Sequence, residues 1–81
     1  MRSRLLRERR VSSDLAKRIA IAHRHVASGR SVLARQRSVI TRKHGLGIDA
    51  SDSEELLVVF EKSQVIFEDD WERLLREQDR K

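Results

Sequence analysis

The sequence has 81 residues, enough for one small domain, and its lack of cysteine excludes disulfides and thiolate metal sites. Charged residues make up 38% of the chain and aromatic residues 4%, with three glycines and no proline, a composition typical of long helices rather than sheets. Residues 1–44 hold 13 Lys and Arg against 2 Asp and Glu, whereas residues 45–81 hold 5 against 11, so a basic half is joined to an acidic half that attracts it.

The chain begins with a stretch that is predicted to be a basic arm, residues 1–12, which either frays or extends the first helix. Its apolar side chains are too sparse to define a buried face. An organelle transit peptide is a less favoured alternative, because similar patterns arise easily in arginine-rich chains. The sequence LAKRIAIA is interrupted by two charges, so neither a membrane span nor a signal-peptide core is predicted.

A first helix is predicted over residues 13–44, capped at its start by the serines at 12–13. Its last turn is basic, which the helix dipole favours. Gly45 is predicted to end it in the left-handed conformation, with Leu46 packing back on Ile40.

A loop is predicted over residues 45–50 and a second helix over residues 51–78. Ser51 and Glu54 have the spacing of a capping box at the start of that helix. The apolar run at residues 56–60 also has strand-like composition. A strand is the less favoured alternative, because the sequence offers it no second strand for pairing.

Both helices carry apolar or small side chains at alternating steps of four and three, the pattern of a helix–helix seam. The sequence therefore predicts an all-α fold, an antiparallel two-helix hairpin over residues 13–81. In that register Gly29 is predicted to make room for the ring of Phe67 or Trp71. The predicted seam consists of Ile19, Ala22, Val26, Gly29, Leu33, Ile40, Leu57, Phe60, Phe67, Trp71 and Leu74.

Charged rows flank this seam, basic on the first helix and acidic on the second. Such pairs contribute only tenths of a kcal/mol each, but they select register and orientation. The predicted pairs are Arg37 with Glu54 and Glu61, Arg30 with Glu61 and Glu68, and His23 with Glu68.

A second apolar stripe lies outside the seam, and an isolated hairpin would leave it in water. It consists of Val32, Val39, Leu56, Val59 and Ile66. Two hairpins pressed together would bury it, which predicts a homodimeric four-helix bundle. A helical protein partner would use the same stripe, and the sequence does not separate these two alternatives.

No constellation of catalytic or metal-ligating residues is recognisable. His23 and His25 are two residues apart, so on a helix they point about 200° apart and cannot chelate one metal ion. The acidic run at residues 68–70 is typical of a solvated face, and GLG is a turn rather than a phosphate-binding loop. We expect no enzymatic activity, no cofactor, no metal and no small-molecule substrate.

Nucleic-acid binding is the rival function. Arg35 and Arg42 share one face of the basic helix, with Lys17 and Arg24 on an adjacent one, and such a field attracts phosphate. There are no aromatic residues in the basic half for base stacking and no short helix-turn-helix. The candidate contacts are Arg2, Arg4, Arg7, Arg9, Arg10, Lys17, Arg24, Arg35 and Arg42.

Residues 25–75 resemble a group of short, uncharacterised helical-hairpin proteins of alphaproteobacteria. The resemblance is carried by H-V-A-S-G-R-x-V-L-A-R-Q-R in the first helix and L-L-V-V-F-E-x-S-Q-V-I-F-E-D-D-W-E-R-L-L in the second. An acidic residue is more frequent in that group at the position of Arg30, so the resemblance does not support the Arg30 pairs. It implies a small bacterial cytoplasmic protein and nothing about catalysis. The residues that match together are His25, Gly29, Arg35, Gln36, Arg37, Phe60, Gln64 and Leu74.

The function predicted from the sequence is therefore a small, non-enzymatic association or adaptor module that acts through its helical faces, either as a homodimer or with a helical protein partner.

Overall fold

The computed structural model describes residues 2–80, with side chains from Asp14 onward. It contains two helices, α1 over Arg2–Gly45 and α2 over Ser51–Asp79. They pack against each other in antiparallel directions and form a rod of 69 × 15 × 15 Å. The predicted all-α helical hairpin is thus confirmed.

The first helix begins earlier than predicted, because the backbone is helical from Arg2 onward. The serines at 12–13 lie inside α1, so they do not cap its start, and the arm is an extension of the helix. Residues 2–13 contain no glycine or proline and are rich in arginine and leucine, which are good helix formers. The side chains of the predicted arm contacts Arg2, Arg4, Arg7, Arg9 and Arg10 lie outside the described part of the molecule.

The end of α1 is set by Gly47 rather than by Gly45. Gly47 has a φ of 70°, its amide donates to His44 O at 3.1 Å, and the Ile48 amide donates to Lys43 O at 2.8 Å. These two bonds form a Schellman motif, and its left-handed position is the second glycine of GLG. Leu46 precedes the left-handed glycine instead of following it and is 67% exposed, so its predicted role as the apolar residue after the cap was wrong.

Replacing Gly47 by alanine is expected to lower the free energy of unfolding by about 1 kcal/mol, because an L residue is strained at this φ. The matched control is Gly45→Ala, since a Cβ at Gly45 meets nothing within 4 Å and its φ is not positive. The control should be neutral or slightly stabilising. Urea unfolding of both variants measures the difference, and equal stabilities would contradict the assignment of Gly47 as the helix terminator.

The start of α2 differs from the predicted capping box. The cap position is Ala50, which has no side chain for the task, and Asp49 accepts hydrogen bonds from the Ser51 hydroxyl at 2.6 Å and from the Ser51 amide at 3.0 Å. The Ser51 hydroxyl, and then its amide, lower the pKa of the Asp49 carboxyl. Residues 56–60 are helical, so the strand alternative was also wrong.

The core is a narrow line of side chains along the seam. Leu15, Ala22 and Leu74 form its main buried cluster, with Ile19 and Trp71 packed against them. Farther along α1, Val26 is fully buried and Leu33 nearly so. Every residue of the predicted seam is buried or half-buried: Ile19, Ala22, Val26, Gly29, Leu33, Ile40, Leu57, Phe60, Phe67, Trp71 and Leu74.

Gly29 makes room for Gln64, not for an aromatic ring as predicted. A Cβ at Gly29 would overlap Gln64 Oε1 and lie 2.8 Å from Gln64 Cδ. Gln64 is only 6% exposed, and its Nε2 donates to Val26 O at 3.0 Å. Gln64 therefore lies across the backbone of α1 in the space that a side chain at position 29 would occupy.

A second glutamine forms a matching bridge toward the loop. Gln36 Nε2 donates to Ser53 O at 2.8 Å, from α1 to the first turn of α2. Sliding one helix along the other would break both glutamine bonds and leave buried polar groups unpaired, at a cost of roughly 1–3 kcal/mol per group. Gln36 and Gln64 therefore fix the register of the two helices.

Candidate association surface

One side of the hairpin carries ion pairs between the helices, and we call it the ion-paired face. The ion pairs are Arg30–Glu68 at 3.0 Å and Arg37–Glu61 at 3.9 Å, and nearer the loop His44 Nε2 lies within hydrogen-bond distance of Glu54 Oε1, at 2.9 Å. All of these side chains are more than a third exposed, so each pair contributes at most a few tenths of a kcal/mol. Complementary charge thus joins the two helices along this face.

The predicted pairs are thus present in part. Arg30 binds Glu68 and Arg37 binds Glu61, but Glu54 is bound by His44 instead of Arg37. The His23 ring packs against Trp71 with the ring centroids 5.1 Å apart, rather than pairing with Glu68. The spacing of residues in the sequence did not predict the contact of His23 with Trp71. Spacing predicts which rows of side chains face each other, but not which ring fills the space between the helices.

The opposite side of the hairpin is open, and we call it the groove face. A groove of about 330 Å³ runs between the helices there, and neighbouring grooves toward the end of α2 share His25 with it. The His25 ring packs against Phe67 with the ring centroids 5.4 Å apart. The groove of 330 Å³ is lined by His25, Ser28, Gly29, Val32, Phe60, Ser63, Gln64 and Phe67.

The apolar stripe predicted as an oligomer face borders this groove. Val32 lies in the groove wall and is half-buried, and Val39 follows it two turns along α1. Leu56, Val59 and Ile66 stand with the groove residue Ser63 on one line of α2, at steps of three, four and three. Their exposed fractions are 37% for Val39, 44% for Leu56, 55% for Val59 and 67% for Ile66.

The structure adds members to the groove face that were not predicted for it. Ile21 is 49% exposed and lines a groove beside His25. Ile21 stands eleven residues before Val32, and on a helix this spacing points both side chains in nearly the same direction. The sequence alone therefore indicated that Ile21 lies on the same face as Val32. Phe60 and Phe67 were assigned to the seam alone, but each also turns part of its ring into the groove wall.

A row of cations borders the groove face on α1, and we call it the cation stripe: Lys17, Arg24, Arg35 and Arg42. At 100° per residue these four lie within about 20° of one line, not on two adjacent faces as predicted. That line is roughly 50° around α1 from Ile21 and Val39. All four side chains are exposed, and none of them pairs with a carboxylate among the described side chains.

The histidines do not converge on a common point. His23 packs against Trp71 and His25 against Phe67, while His44 binds Glu54 near the loop. Within the part of the chain that the structure describes, no group of three His, Asp or Glu side chains is placed to hold a metal ion. Neither described helix has an apolar stretch of the length needed to cross a membrane.

Comparisons of the chain with protein families, with curated proteins and with solved structures gave no match. The resemblance to the alphaproteobacterial hairpin proteins therefore stays an expectation. The groove face is left as the feature from which a function can be argued.

Proposed function

We propose that this protein is a small, non-enzymatic association module that binds a second helical pair through its groove face. The observation that carries the proposal is the line of Leu56, Val59 and Ile66, all more than 40% exposed beside an open groove between the helices. Contiguous exposed apolar surface of this kind marks interaction sites in small proteins. The resemblance to alphaproteobacterial hairpin proteins supports a bacterial cytoplasmic setting for this role.

The sparse core supports the same role. The chain exposes 6758 Å², whereas a folded monomer of its mass exposes about 5,000 Å² by the usual scaling. An interface of standard size removes about 800 Å² from each partner, so covering the groove face would bring the exposed area toward the usual value. Association would thus supply stability that so narrow a seam lacks.

If the second helical pair is another copy of the chain, the melting temperature depends on protein concentration. If folding is coupled to the formation of a dimer, a hundredfold higher protein concentration stabilises the folded dimer by about 2.7 kcal per mole of dimer. At the usual entropy of unfolding per residue this raises the melting temperature by about 8 °C. Circular dichroism melts at two concentrations measure the shift, and coincident melts would contradict self-association.

A second candidate function is the binding of nucleic acid, and the cation stripe is the observation that favours it. Four exposed cations on one line of a long helix attract a phosphate backbone without reading its sequence. The alternative predicts that bound nucleic acid is released by salt. Nucleic-acid binding would leave the groove face unused. We therefore favour the association function, which gives the exposed apolar surface a role.

A further inference from the structure

We infer that the occupant of the groove face is a second copy of this chain, arranged with both loops at the same end of the bundle and with α1 of each copy against α2 of the other. This inference rests on the proposed association function and adds the identity and orientation of the partner. It follows from the positions of the charges and from the geometry of a two-fold interface.

A two-fold axis can press two groove faces together in two ways when the helices stay aligned. An axis across the helices places α1 on α1 and α2 on α2, with the loops at opposite ends. An axis along the helices places α1 on α2 of the partner, with the loops together. A symmetric interface uses the same surface on both copies, so the groove face must complement itself in one of these two arrangements.

Charge separates the two arrangements. The helix α1 is strongly basic and carries the cation stripe at the border of the groove face, whereas α2 is acidic. The arrangement with loops at opposite ends would bring two cation stripes together, and like charges at close range are repulsive. The arrangement with loops together places each cation stripe beside an acidic helix.

The levels of the charges along the rod also match. An axis along the helices leaves the height of each residue unchanged, so the contact of Gly29 with Gln64 sets the levels between copies as well. Arg24 then lies level with Asp69 of the partner subunit, and Arg42 lies within one residue of the level of Asp52 of the partner subunit. Lys17 lies level with both Arg76 of the partner subunit and Glu77 of the partner subunit, so this level adds no net attraction.

The groove itself has the shape for this arrangement. Ser28, Gly29 and Ser63 line it with small side chains, while Val59 and Ile66 are exposed on the same line of α2 as Ser63. Each copy thus offers both apolar projections and a groove with room for apolar side chains. Burial of Val59 and Ile66 in both copies adds four large apolar side chains to the core, and the flanking charges select the orientation.

The test is a pair of distances measured by pulsed electron paramagnetic resonance between spin labels on the full chain. The sequence has no cysteine, so one introduced cysteine per chain gives one label per copy. Leu46→Cys places the label in the exposed loop, and Ser31→Cys places it on the exposed side of α1 at the level of the middle of the groove face. Light scattering of each labelled variant checks its mass.

With the loops together, the Leu46→Cys labels should lie roughly 20–25 Å apart, the width of two packed helix layers. With the loops at opposite ends they would lie about 48 Å apart, twice the rise of the 16 residues between the middle of the groove face, near residue 30 of α1, and Leu46. The Ser31→Cys labels give a short distance in both arrangements and thus report the dimer alone. A short loop distance supports the inference.

A long loop distance together with a short Ser31→Cys distance would overturn the orientation while leaving the association function standing. Absence of any dipolar coupling from both labels, with the mass of a monomer, would overturn the second copy as occupant and self-association with it.

Discussion

Ile66→Glu is expected to convert the protein from a dimer into a monomer. Ile66 is the most exposed member of the predicted oligomer face, at 67%, and it projects beside the groove. Burying an isoleucine contributes about 2 kcal/mol, and a two-fold interface counts the loss twice. The buried glutamate adds a desolvation penalty, so the dissociation constant should rise about a thousandfold or more.

The matched control for this variant is Val65→Glu. Val65 is 59% exposed and is the neighbouring residue in α2, but it points about 100° away from Ile66. Sedimentation equilibrium should find a dimer for Val65→Glu and a monomer or an unfolded chain for Ile66→Glu. Circular dichroism distinguishes the last two, and both mean that the interface is lost. A dimer of unchanged affinity with glutamate at position 66 would place the interface elsewhere.

Gly29→Leu is expected to destabilise the hairpin by about 2 kcal/mol. Any Cβ at this position overlaps the carboxamide of Gln64, which is buried and bonded to Val26 O. Forcing extra atoms into such a seam costs about 1–3 kcal/mol, and the gain of up to about 1 kcal/mol from leaving glycine in a helix offsets only part of it. The melting temperature should fall by roughly 10 °C.

A double-mutant cycle identifies Gln64 as the cause. Gly29→Ala should destabilise the wild-type chain, whereas in a Gln64→Ala background the same change should be neutral or stabilising, because the overlapping carboxamide is gone. Equal effects of Gly29→Ala in both backgrounds would show that the glycine does not serve Gln64. The cycle also tests whether the buried amide fixes the register, since Gln64→Ala alone removes its bond to α1.

The hairpin could be predicted from the sequence because periodicity and charge agree. Val26, Leu33 and Leu74 fall on apolar rows with a repeat of seven, and the basic and acidic flanks specify which helices meet. The helix ends were harder to predict. GLG contains two glycines, and only the backbone decides that the second, Gly47, takes the positive φ.

The contact of Gln64 with Gly29 was missed for a physical reason. Glycine in a helix indicates that something approaches closely, but not whether a ring or an amide does so. Steric size favoured Phe67 or Trp71, whereas the hydrogen bond available at Val26 O favours an amide. The rings instead pack beside His23 and His25, where both of their partners are partly open to water.

The groove face could be predicted as an apolar stripe but not as a groove. The spacing of Leu56, Val59 and Ile66 contains the stripe. The groove beside the stripe depends on how closely the two backbones approach at Gly29 and on the orientation of the Phe60 and Phe67 rings. Neither of these can be predicted from the spacing of apolar residues.

The most direct test of the association function is the mass of the protein in solution. It is best measured by size-exclusion chromatography with light scattering and with absorbance at 260 and 280 nm, on protein kept at low salt throughout. Association with a second copy of the chain predicts twice the 9.5 kDa mass of one chain, with the absorbance ratio of pure protein. A monomer at every concentration would contradict it. A heavier peak rich in 260 nm absorbance that becomes a monomer in high salt would contradict it as well, and would show that the cation stripe binds nucleic acid.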